Sequence, residues 1–84
     1  MAQETEQKLR EFIVETFLFG EGGDELGDED SLLERGIIDS TGVLEMTAFL
    51  EEDFGVKVSD DELVPDNFDS ISKLAAFVGR KRQG

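Results

Sequence analysis

Apolar residues recur at intervals of three and four in three separate stretches of this sequence, a spacing that confines the chain to packed amphipathic helices. Between Thr5 and Phe19, the residues Leu9, Phe12, Ile13, Thr16 and Phe17 form one stripe, with Glu6, Arg10, Glu11 and Glu15 mostly off it. Gly20, Gly22 and Gly23 then stop the helix. A second helix is predicted over roughly Thr41 to Phe54, with Val43, Thr47, Leu50 and Phe54 facing inward, Met46 beside them, and Gly55 at its end. A third is predicted over Ile71 to Arg80, capped by Asp69 or Ser70, with Ile71, Leu74, Ala75 and Val78 as its core stripe. Between the last two, Val56-Lys57-Val58 reads as an extended link. Ser59 and Glu62 have capping-box spacing and open a short helix through about Val64, which Pro65 stops. The expected fold is all-α: a small antiparallel bundle of three main helices plus one short helix.

At 84 residues the chain fits a single domain, 1–84, with residues 1–4 and 81–84 expected to fray and a long acidic loop over 20–31. That loop, GEGGDELGDED from Gly20 to Asp30, has almost nothing to bury and is expected to be a mobile connection. Its Asp24, Asp28 and Asp30 do not match the alternating oxygen ligands and closing Glu of a calcium loop, so no metal site is assigned. Ser31 and Glu34 again have capping-box spacing, for one helical turn ending at Gly36. Leu32, Leu33, Ile37 and Ile38 then anchor the loop to the core and fix where the next residues point.

The chain contains no Cys and no His, which removes disulfides, thiolate and imidazole ligands, and the commonest general base. Catalysis is therefore not expected, and no catalytic residue is assigned. A net charge of −13 repels phosphate backbones and anionic membranes, and a basic protein surface is the natural complement. No apolar run is long enough to span a bilayer, and MAQETEQKLREF lacks a signal pattern, so a cytoplasmic protein is expected; a monomer is expected as well. Arg80, Lys81 and Arg82 read as a frayed basic tail at a helix C-terminus.

The informative stretch is LERGIIDSTGVLEMTAFLEEDF, from Leu33 to Phe54. Gly36, the apolar pair after it, Asp39-Ser40, and a following helix with apolar inward and acidic outward positions resemble the attachment region of the acyl carrier and peptidyl carrier protein family. The flanking helix, long loop and FGVKVSDDELVPDNFDSISKLAAFV agree with the family plan, so the resemblance covers nearly the whole chain. It implies a 4'-phosphopantetheine arm, taken from coenzyme A by a phosphopantetheinyl transferase and attached to Ser40, with Asp39 read by that transferase. Acyl or aminoacyl cargo would be held on the arm as a thioester, the cofactor bringing the sulfur that a Cys-free chain lacks. It also implies that Leu44, Glu45, Ala48, Glu51 and Glu52 face partner enzymes: a loading ligase and downstream acyl-transfer enzymes.

On its own, Ser40 reads equally as an ordinary helix N-cap, and the acidic side chains as solvated surface. Fatty-acid carriers have Leu directly after the modified Ser, whereas this chain has Thr41 and then Gly42, and Gly early in a helix costs about 0.5–1 kcal/mol relative to Ala. Asp39-Ser40-Thr41-Gly42 and the stretch Pro65 to Ser70 look more like discrete carriers that work beside an adenylating acyl or amino-acid ligase. The alternatives are a housekeeping fatty-acid carrier, a cofactor-free acidic adaptor for a basic protein, and a nucleic-acid mimic.

Overall fold

The first helix runs further toward the N-terminus than its apolar stripe requires. In the computed structural model, which describes residues 2–83, α1 spans Ala2–Phe17, α2 Ser40–Phe54, α3 Pro65–Phe68 and α4 Ile71–Gln83. Single 3₁₀ turns lie at Gly23–Glu25 and Asp60–Glu62, and no strand occurs among the described residues. Helix thus includes residues 2–4 and 81–83 of the two terminal segments, Met1 and Gly84 lying outside the described residues, and the basic cluster is built into α4. There Lys81 Nζ pairs with Glu62 Oε1 at 2.9 Å, and Arg80 Nη2 donates to Asn67 Oδ1 at 2.9 Å.

α1 packs along α4, and α4 also carries α3 and α2. α1 meets α2 through its rings: Lys8 lies over Phe54, Phe12 stacks on Phe49 with centroids 4.1 Å apart, and Phe17 reaches Gly42. One sequence falls as the other rises, so the pair is antiparallel. Leu9, Ile13, Met46, Leu50, Phe68, Ile71, Leu74, Phe77 and Val78 close the core. The buried line of α2 is Gly42, Met46 and Leu50, with Val43, Thr47 and Phe54 only half-buried, so the helix is rotated from the predicted stripe. Thr16 of the predicted α1 stripe is exposed.

Pro65 starts a helix where the sequence reading had it stop one. Val64 before it is extended, as the residue preceding proline prefers, and Pro65 occupies the first helical turn, where its missing N–H is not needed. The short helix of the bundle is therefore Pro65–Phe68, and the predicted one at Ser59–Val64 is reduced to a 3₁₀ turn. The capping box there does form, with Glu62 Oε1 accepting from the Ser59 N–H at 3.0 Å. That hydrogen bond first, and Lys81 second, hold the Glu62 carboxyl down at about 2.

The acidic loop is held, not loose. Leu26 is buried. The Arg10 guanidinium donates to the carbonyls of Gly23 and Leu26 and pairs with the Asp28 carboxylate. Arg35 donates to the Glu25 carbonyl and pairs with Asp30 at 2.8 Å. Asp30 also accepts from the Gly27 N–H, which, with Arg35, holds its carboxyl below the usual range. Asp28 and Asp30 are each engaged by an arginine; the side chain of Asp24 lies outside the described set. Composition alone hides this clasp because its cations come from outside the loop, one on α1 and one after it. Further on, Ser31 Oγ accepts from the Glu34 N–H and donates to the Asp69 carboxylate, which also accepts from the Leu33 N–H. Asp69 thus braces the loop, and Ser70 is the residue that caps α4, its Oγ accepting from the Lys73 N–H at 3.1 Å.

Candidate functional site

The braced turn at 31–36 delivers the chain to the start of α2 through Gly36, whose φ of 70° suits a residue without a Cβ. Ile37 and Ile38 both donate back to the Leu32 carbonyl, and Ile38 is buried. Asp39, exposed and extended, is the N-cap: its Oδ1 accepts from the Gly42 N–H at 2.8 Å. Ser40 is consequently the first residue of the helix and not its cap. Its side chain is exposed, and its hydroxyl has no hydrogen-bond partner among the described residues. Asp39 takes the capping work that the plainer reading gave to Ser40, so that hydroxyl is not needed as a cap.

Gly42 is what lets this corner sit so close to α1. A Cβ there would stand 2.7 Å from Ile38 Cγ1 and 3.1 Å from Phe17 Cε1, inside ordinary contact distance. The sequence alone marks Gly42 as a weak point in the first turn; packing makes it a requirement. The signal was legible only as a glycine where helix propensity argues against one.

Beside Ser40 opens an apolar crevice lined by Leu33, Val43, Leu63, Val64, Pro65 and Phe68. The predicted partner-facing residues do not form one face. Glu45, Ala48 and Glu52 share a shallow groove with Phe12, Thr16 and Phe49, on the α1 side of α2. Leu44, one turn after Ser40, is 61% exposed. Glu51 is turned to another task, its Oε2 accepting from the Val58 N–H at 3.1 Å after the helix end.

This arrangement can present a substituent on a hydroxyl. The N–H groups of Ser40 and Thr41 have no acceptor among the described residues, as is usual at a helix start, and with the positive dipole end they favour an attached phosphate. The crevice would give any substituent on that hydroxyl an apolar wall.

The family described as "Phosphopantetheine attachment site" matches residues 7–78. The chain belongs to that family. Its members are carriers rather than catalysts and bear a covalently attached 4'-phosphopantetheine. The chain is also 35% identical over 72 residues to the D-alanyl carrier proteins of Streptococcus pyogenes serotype M5 (strain Manfredo) and serotype M49 (strain NZ131). In each comparison the match covers 83% of this chain and 90% of the relative. This carrier, like others of its family, works with ligases and transferases. Among the described residues no helix is long and apolar enough to cross a membrane.

Proposed function

We propose that Ser40 is the attachment residue and that the chain is a discrete monomeric carrier in the cytoplasm, loaded by an adenylating ligase. The observation that carries this reading is the exposed Ser40 hydroxyl at the first position of α2, with no hydrogen-bond partner among the described residues because Asp39 supplies the cap. In the attachment, the Ser40 oxygen forms a bond to the β-phosphorus of coenzyme A. The bond from that phosphorus to the bridging oxygen breaks, adenosine 3',5'-bisphosphate leaves, and the hydroxyl proton passes to the transferase. The arm supplies the thiol that the Cys-free chain lacks.

Asp39 holds the first turn and remains exposed for recognition by the transferase. Glu45 and Glu52, with Ala48 between them, offer carboxylates to a partner along a shallow groove shared with Phe12 and Phe49, while Leu44 and Glu51 lie outside that groove and contact partners separately. Such contacts suit brief encounters with enzymes of opposite potential. The relatives named D-alanyl carrier protein, together with Thr41-Gly42 after the serine, favour an aminoacyl cargo of that small class over a fatty acyl chain.

Incubation with coenzyme A and a broad-specificity phosphopantetheinyl transferase should add one phosphopantetheine by intact mass, and Ser40→Ala should abolish it. A D-alanine-activating ligase with ATP should then add one alanyl group to the modified chain only. Persistence of modification in Ser40→Ala would refute the attachment assignment; loading with fatty acyl groups but not D-alanine would refute the subtype.

A further inference from the structure

Phe19 occupies a conformation and a position that its folding role does not explain. It is the one non-glycine residue among those described with a positive φ, 55°, a region that bulky side chains enter at a cost in strain. It is also 88% exposed, so burial does not compensate for that strain. The turn around it is fixed by backbone hydrogen bonds, with the Gly20 N–H donating to the Val14 carbonyl at 2.8 Å and the Glu21 N–H to the Leu18 carbonyl at 3.1 Å. Glycine occupies the neighbouring left-handed positions, Gly20 and Gly22, and would hold position 19 without strain.

A single exposed apolar side chain needs no explanation, but this one belongs to a set. Among the described residues the exposed large apolar side chains are Phe19, Leu33, Leu44 and Val64. Leu33 and Val64 line the crevice beside Ser40, and Leu44 lies one turn along α2 from it. Phe19 is two residues, at most about 7 Å of chain, beyond Phe17, whose ring lies against Gly42. Gly42 in turn is about 3 Å along the helix axis from Ser40. The whole set therefore sits at the Ser40 end of the bundle. Exposed carboxylates lie beside its members along the chain: Glu21 two residues after Phe19, Asp39 next to Ser40 and Glu45 next to Leu44.

We propose that Phe19 is a docking anchor for the phosphopantetheinyl transferase, its ring entering an apolar pocket rimmed by cationic side chains on that enzyme. Strain at an exposed aromatic, continuity with the Ser40 end and the surrounding negative charge carry this inference, which rests on Ser40 being the attachment residue. Phe19 is a positioning residue: it touches neither coenzyme A nor the reacting phosphorus, and acts by seating the carrier.

The test compares wild type, Phe19→Gly and Phe19→Leu with a broad-specificity transferase and coenzyme A, followed by intact mass, alongside thermal melts. Phe19→Gly is expected to lower kcat/KM for the carrier about tenfold through a raised carrier KM, with the KM for coenzyme A unchanged. Its Tm should equal or exceed that of wild type, because the strain is relieved. Phe19→Leu should retain most of the rate. A Phe19→Gly rate within twofold of wild type would overturn the proposal, as would a fall in Tm that marks Phe19 as structural. A defect seen only in ligase loading would overturn the choice of partner. Failure to modify the wild-type chain would instead sink the Ser40 assignment, and this proposal with it; equal modification of all three sinks the docking role alone.

Discussion

Alanine in place of glycine should have opposite effects at two helical positions of this protein. At Gly79, inside α4, nothing stands within 4 Å of where a Cβ would go. Gly79→Ala should therefore gain helix propensity and lose unfolded-state entropy, stabilising by about 0.5–1 kcal/mol. At Gly42 the same Cβ meets Ile38 Cγ1 at 2.7 Å and Phe17 Cε1 at 3.1 Å. Carbon pairs prefer about 3.5–4.0 Å, so at least one neighbour must retreat by most of an ångström. The atom in question is the middle of the Ile38 side chain, not its end, and Ile38 is 3% exposed. Overpacking of this kind costs about 1–3 kcal/mol, while the propensity gain in a first turn is at most about 1 kcal/mol. The net is a loss of about 1 kcal/mol for Gly42→Ala. For a domain of this size each kcal/mol moves Tm by about 4–8 °C, so the two variants should melt on opposite sides of wild type by far-ultraviolet circular dichroism. Because the clash pushes on the Asp39-Ser40 corner, Gly42→Ala should also slow modification by the transferase. If Gly42→Ala melted at or above the wild-type temperature, the argument that close approach demands glycine there would be refuted.

The acid response of the Glu62 contact has a definite sign. Its carboxyl is lowered from 4.5 to about 2 in the folded chain, so its stabilising contribution is complete above 4.5 and disappears as pH falls toward about 2. The urea midpoints of wild type and Glu62→Gln should therefore differ by a constant amount near neutrality and converge below 4.5; a gap that widened on acidification would contradict the Ser59 and Lys81 contacts as its source. Charge reversal at Glu45 and Glu52 together should cut the rate of ligase loading about tenfold at low salt, with the difference shrinking as salt rises and the melting curve little changed. A salt-independent defect would remove these residues from the encounter. Glu51 is a poorer choice for such a test, since its carboxylate also holds the Val58 N–H.

Much of the fold was legible along the chain. The three main helices follow from apolar spacing, which needs no knowledge of partners because it reports one face per helix. The motif around Asp39-Ser40 was equally local, and so was the capping box at Ser59, whose two members lie within a single turn. What the chain could not disclose were matters of relative placement. Which of Asp39 and Ser40 caps α2, and so which is left free, depends on the corner's backbone angles. That α2 is rotated so that Gly42 and Met46 face inward depends on how closely α1 approaches it.

The stretch Gly20–Asp30 is the clearest divide between the two. Read alone it is acidic, rich in glycine and without a reason to be held. Arg10 from α1, Arg35 beyond the loop and the buried Leu26 hold it, and the Asp69 carboxylate braces the turn that follows. Pattern along a chain sets where helices form and that each has one apolar side, because side-chain periodicity is a property of the local backbone. Contacts between residues far apart in sequence decide which loops are rigid, which glycines are compulsory and which hydroxyl is left exposed, because those depend on the distance of approach, which only the packed bundle sets.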